Sequence, residues 1–260
     1  NGTGVTMGIV QPTYDASISF QNDSAGQNIV INANKSDSRG LTGINYYGLN
    51  QLDNDFVQKK YVDDAGNVDY SSWKKNQTDL DKYIQLLEKK PPADYWDKND
   101  SLAYFINAYN AVTVKLILDN YPLKSIRDIK DPWDSKSLNL PNNTMTLNDI
   151  EHKVLRKMGD PRIHFAINCA SASCPQLSNE AFRASKVQKQ LEEATVLFIN
   201  DTSKNEITEK NIGLSKIFLW FSKDFGSKKE RIVFIQKYSE KSFKDKAKIK
   251  YQEYDWSLNE

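Results

Sequence analysis

The stretch from about Asp100 to Asn120 constrains this chain most. Leu102, Phe105, Ile106, Tyr109, Val112, Leu116 and Ile117 recur there at helical spacing, and Pro122 ends the run. No other segment makes so hydrophobic a helix, so a helical body is expected around Leu102–Leu118. Asn107 and Asn110 interrupt the apolar pattern. A buried amide has to be hydrogen-bonded, so both are expected chiefly to hold backbone groups. Asn107 is also a candidate oxyanion donor.

The flanking segments extend this body. Asp69-Tyr70-Ser71 leads into an amphipathic run to about Lys90, with Trp73, Leu80, Tyr83, Ile84 and Leu87 on one face. Pro91-Pro92 stops it. Ser137–Leu140 and Thr144–Thr146 flank Pro141-Asn142-Asn143 and read as a small hairpin. Thr146 and Asp149 form a capping box for a helix from Leu147 to about Lys157, closed by Gly159. Ile163–Cys169 reads as a strand. Ser185 is expected to cap a helix to about Asn200, with Val187, Leu191, Ala194 and Phe198 inward. A further helix is expected from Ser215 to Phe225.

Length and charge set outer limits. The chain has 260 residues, which suits one main domain with an appendage. Residues 1–45 carry no Leu before Leu41 and are rich in Gly, Asn, Ser and Thr. Gly8–Val10, Ser17–Phe20 and Asn28–Asn32 suit short strands there. We read 1–45 as an N-terminal extension or edge hairpin, and 46–260 as the main domain. A net charge of +1 gives no field to steer nucleic acid, so no nucleic-acid partner is expected. Residues 223–250 hold 10 Lys and Arg against 4 Asp and Glu, interleaved as on a solvated helical face. Charge breaks the apolar runs short of about 20 residues, so no membrane span is expected.

The chemistry concentrates in one place. Both Cys and both His of the chain fall between His152 and Cys174. On a strand, Ile163, Phe165, Ile167 and Cys169 would face one way, and His164 and Asn168 the other. Cys174 lies beyond a turn of small residues that can fold it back towards His164. Pro175 suits the first position of a helix, leaving Cys174 near its N-cap, where a thiolate is stabilised. Cys174 is therefore the candidate nucleophile, His164 its base and Glu151 the orienting acid. Cys169 is the alternative nucleophile, and His152 a surface or supporting histidine. Two plainer readings stand beside this one: a Cys169–Cys174 disulfide, or two buried thiols. The spacing is unlike that of zinc sites, and no phosphate loop is visible, so neither metal nor cofactor is expected.

These residues carry a resemblance. Val68-Asp-Tyr-Ser71, Tyr104-Phe-Ile-Asn-Ala-Tyr-Asn-Ala111, Tyr121-Pro-Leu-Lys-Ser-Ile-Arg127 and Leu147-Asn-Asp-Ile-Glu-His152 are similar to motifs of the family called domain of unknown function 547 (DUF547). So are Asp160–Ser171, Ser173-Cys-Pro175 and Tyr254-Asp-Trp-Ser-Leu-Asn259. The resemblance runs from about Leu49 to Asn259. It implies an extracytoplasmic location (periplasmic, lipoprotein or secreted) and allows interaction roles, but it carries no established substrate.

The fold expected is α+β: a helical body with a small, mainly antiparallel sheet containing the His164 strand, papain- or transglutaminase-like by analogy at most. The function expected is a thiol-dependent hydrolase or acyltransferase on peptide or amide bonds, with a peptide or protein substrate. The alternative is a non-catalytic binding or scaffold module with its cysteines bridged or buried.

Overall fold

A computed structural model describes residues 7–11, 14–23, 26–33, 58–244 and 247–260. The chain divides into two compact units, Asn1–Leu49 and Asn50–Glu260. The expected 45/46 boundary lies outside the described residues. Unit 1 holds an antiparallel sheet in the order β1 (Met7–Gln11), β2 (Tyr14–Asp23), β3 (Gly26–Ala33). Gln11 lies opposite Tyr14, and Asp23 opposite Gly26. All three expected strands are present and longer than the sequence indicated.

Unit 2 is α+β. Its α-helices of five or more residues are, among the described residues, α1 (Tyr70–Lys74), α2 (Thr78–Lys89), α3 (Lys98–Asn120), α4 (Val187–Asn200) and α5 (Lys228–Tyr238). The single run expected over 69–90 is thus two helices. Helix α3 opens on a capping box: Asp97 accepts from the Asn99 and Asp100 amides, and Asp100 accepts from the Asp97 amide. Every residue from Leu102 to Leu118 except Lys115 is buried. Lys115 reaches Asp81 and Asp119 instead. A helix apolar on all sides has to be covered on all sides. By length and composition alone α3 could cross a membrane, but 89% of its most apolar window is buried within the protein.

Two small sheets flank the helices. β4 (Ser137–Leu140) pairs antiparallel with β5 (Asn143–Thr146), as the hairpin signal indicated. β6 (Glu206–Ile207) pairs antiparallel with β7 (Asn211–Leu214), which pairs parallel with β8 (Lys248–Tyr251).

Three local expectations are corrected. Ile163–Cys169 is not a strand. Pro161–Phe165 forms a tight helical turn, started by Asp160, whose side chain accepts from the Arg162 amide. Helix α4 starts at Val187, without a side-chain cap from Ser185. The helix expected over 215–225 is one turn, Ile217–Trp220, followed by non-helical turns.

Unit 2 has two apolar cores. One surrounds α3. The other gathers Phe165, Phe198, Phe218 and Phe225 with aliphatic residues of β6, β7 and α5. The 161–165 turn joins them: Ile163 belongs to the first and Phe165 to the second. His164 sits between.

Candidate functional site

The helical segment after Thr146 builds one wall of the site. The Thr146–Asp149 capping box forms as expected. The backbone then widens to i→i+5 spacing over Ile150–Leu155, with the Arg156 amide donating to the Glu151 carbonyl. It tightens over Arg156–Met158 and stops at Gly159, whose φ of 72° suits glycine. Such widened turns re-aim side chains. Here Glu151 is buried and His152 is half-buried.

His164 is held tightly. Its Nε2–H donates to Asp224 Oδ2 at 2.8 Å, and its ring stacks on Phe221 at 3.9 Å between centroids. Asp224 also accepts from Arg156 Nε at 2.6 Å and Nη2 at 2.7 Å. A carboxylate so engaged accepts only, which puts the His164 proton on Nε2. Nδ1 is then a lone pair. It is buried, has no hydrogen-bond partner, and lies 3.9 Å from Glu151 Oε1. Arg156 Nη1–H donates to His152 Nδ1 at 2.9 Å.

Burial sets the charges. It pushes His164 down to about 4, against the upward pull of Asp224. It pushes Glu151 up to about 7, although Arg156 and a 3.4 Å hydrogen bond from Tyr109 act the other way. Asp224 stays below the usual carboxylate range because hydrogen bonds from Arg156 and His164 outweigh its burial. Burial and then Arg156 lower His152. At neutral pH both imidazoles are uncharged, and Glu151 is poised between its two forms.

The cysteine loop forms the facing wall. Cys169 and Cys174 are joined by a disulfide. The Cys169 amide donates to Cys174 Sγ at 3.1 Å, and the hydroxyls of Ser171 and Tyr254 each lie 3.3 Å from it. No helix starts at Pro175, so the expected N-cap for Cys174 is absent. Asparagines hold the loop instead. Asn110 accepts from the Asn168 amide and donates to the Ala166 carbonyl. Asn168 accepts from the Ala170 amide and donates to the Pro175 carbonyl. Ala170 has a φ of 57°, a left-handed conformation that a non-glycine residue adopts only when its surroundings impose it. From outside, the amides of Ala172 and Ser173 donate to Ser257 and Asp255 carbonyls, and the Asp255 amide donates to Ser173 Oγ.

Between the walls lies a cavity of about 320 Å³. Of the residues singled out from sequence, Cys174, Cys169, His164, Glu151 and His152 all line it. Asn107 does not. Its amide donates to the Phe182 carbonyl and its carbonyl accepts from the Phe182 amide, leaving it occupied elsewhere. In this bridged form neither sulfur reaches His164 Nδ1. Sequence reasoning missed Asp224. That acid lies 60 residues from His164 within a lysine-rich stretch, where nothing marks it among 34 acids. Tyr254 and Trp256 stood in the closing motif, but without a role.

Residues 93–199 match the family described as protein of unknown function, DUF547. The chain resembles that family, as its motifs indicated. The matched DUF547 segment contains Glu151, both histidines and both cysteines. Val68–Ser71, Asp224 and Tyr254–Asn259 fall outside it. No curated protein and no solved structure matches the chain.

Proposed function

We propose that this protein is a thiol-dependent hydrolase or acyltransferase acting on peptide or amide carbonyls, with its nucleophile released by reduction of the Cys169–Cys174 bridge. One observation carries the reading. His164 has a buried, unpartnered Nδ1 acceptor on a ring fixed by Asp224 and Phe221, and it lines the same cavity as both cysteines. A lone pair so expensively desolvated is a feature of a working base more than of a packing residue.

Two equivalents of a small thiol reduce the bridge and leave as their own disulfide. Cys174 then passes its proton to His164 Nδ1, and its sulfur attacks the carbonyl carbon. A C–S bond forms and the C–N bond breaks, the amine leaving with the proton from His164. Water or an acceptor amine cleaves the thioester and restores the thiol. Asp224, not Glu151, is the orienting acid in this scheme. A backbone amide and two hydroxyls lie 3.1–3.3 Å from Cys174 Sγ, whereas Cys169 Sγ has only the longer 3.5 and 3.7 Å contacts to the Tyr254 and Ser171 hydroxyls; this favours Cys174 as the nucleophile.

The bridge supports an extracytoplasmic location, since disulfides persist in oxidising compartments. It also favours a second reading, a non-catalytic binding module stapled by its cysteines. Alkylation after reduction separates the two. For the enzyme, intact mass should show one thiol labelling well below pH 8.5, the usual thiol pKa being about 8.5, with His164→Ala slowing it. Equal, slow labelling of both thiols, unaffected by His164→Ala, would sink the enzyme reading and leave the module.

A further inference from the structure

Three of the five tryptophans in the chain line the cavity. Trp220 stacks on Trp256 at 5.6 Å, and Tyr254 lies 4.7 Å from Trp220 and 4.6 Å from Trp256. Trp133 meets Trp256 edge-on at 6.0 Å. Trp220 is 45% exposed, so this aromatic platform opens to solvent. Large exposed aromatics beside a concave site are a common mark of ligand contact.

Charge decides what kind of ligand. A cation is poorly served, because guanidinium groups already sit by two of the rings: Arg127 at 5.4 Å from Trp256 and Arg156 at 5.3 Å from Phe221. An anion is no better served. Both histidines are held neutral, Arg156 is bound twice by Asp224, and Glu151 adds negative charge once ionised. Nine of the fifteen lining residues are aromatic, aliphatic or proline, so the many hydroxyls of a sugar would find few partners.

We infer that the cavity takes an uncharged aromatic or large aliphatic side chain, seated on Trp220, Trp256 and Tyr254. As a statement about acyl donors this rests on the thiol-enzyme reading. As a statement about binding it does not. Selectivity would come from the group carried beside the scissile carbonyl, with the platform placing that carbonyl between the two walls.

The test uses the bridged protein and needs no thiol chemistry. Indole N–H NMR signals are followed during titration with N-acetyl-phenylalanine amide, N-acetyl-lysine amide, N-acetyl-aspartate amide and N-acetylglucosamine. The phenylalanine derivative is expected to shift the Trp220 and Trp256 signals saturably and to bind at least about tenfold more tightly than the others. Trp220→Ala, at a half-exposed position, should weaken it by about fivefold or more. No saturable binding, equal or tighter binding of a charged derivative or of the sugar, or binding unchanged by Trp220→Ala would each overturn the inference. Binding without thiol reactivity would remove the enzyme reading alone. Thiol reactivity without selective binding would remove this inference alone.

Discussion

The inner face of α3 and the wall of the cavity both bury polar side chains, but they treat them differently. Asn107 and Asn110 each give and receive a hydrogen bond with a backbone partner across the core. Glu151 and His164 are as deeply buried, yet Glu151 has one weak partner and His164 has an empty acceptor. The contrast separates two uses of buried polarity. Where donor and acceptor are both engaged with backbone, the group specifies the fold. Orphaned buried atoms also occur away from the cavity, at Trp73 Nε1 and Thr113 Oγ1; what sets His164 apart is that it lines a cavity beside two cysteines.

Substitutions put that contrast to the test. The largest effect is expected at Asn110→Ala, which strips two buried backbone partners and should cost about 2–5 kcal/mol. Urea unfolding would read it, and a loss below about 1 kcal/mol would contradict a structural role.

Glu151→Gln should act in the opposite sense. Burial raises the folded pKa of Glu151 to about 7 from 4.5. Its favourable contribution is complete below about pH 4.5 and is lost as pH rises through about 7, because the unfolded chain ionises first. Wild type and variant should therefore be similar near pH 5, with the variant more stable at pH 8 by about 1–3 kcal/mol. His164 runs the other way. With its folded pKa at about 4 against 6.5, its contribution is present above about 6.5 and is lost as pH falls through about 4. Parallel thermal melts from pH 4 to 8 would test both signs, and a pH-independent difference between wild type and Glu151→Gln would defeat the Glu151 assignment.

Asp224→Asn is expected to change stability less and chemistry more. Asp224 raises His164, so its loss should lower the imidazole pKa further in an NMR titration. It should also slow alkylation of the reduced protein by roughly tenfold or more, by releasing the tautomer. An unchanged His164 titration would show that the 2.8 Å contact does not govern the ring. The smallest effect is expected at Lys59→Ala. This exposed partner of Glu180 should matter by no more than about 0.5 kcal/mol in the same unfolding assay.

How legible each part was depended on how local its causes are. The β4–β5 hairpin and the Thr146 capping box were readable because residues within three or four positions decide them. Helix α3 was readable because seven apolar side chains repeat its period. The 163–169 segment misled because its apolar alternation matches a strand by coincidence. Asp160, Pro161 and Asn110, the last of these 58 residues before Asn168, draw its backbone into a turn and a loop. The site followed the same rule. Its cysteines, histidines and Glu151 lie within one short segment and were found together. Asp224 joins them only through tertiary structure.

The 254–259 segment has a consequence for how the molecule is made. It supplies backbone partners to the cysteine loop, and Asn259 accepts from Tyr70 and donates to the Gly66 carbonyl, 193 residues earlier in the sequence. During synthesis α3, the 147–158 segment and both cysteines emerge long before it does. The emerging chain can therefore pack its core while the cysteine loop still lacks its outer latch. Cys169 and Cys174 are made before the segment that latches their loop, and the cavity is complete only once Tyr254 and Trp256 have joined it.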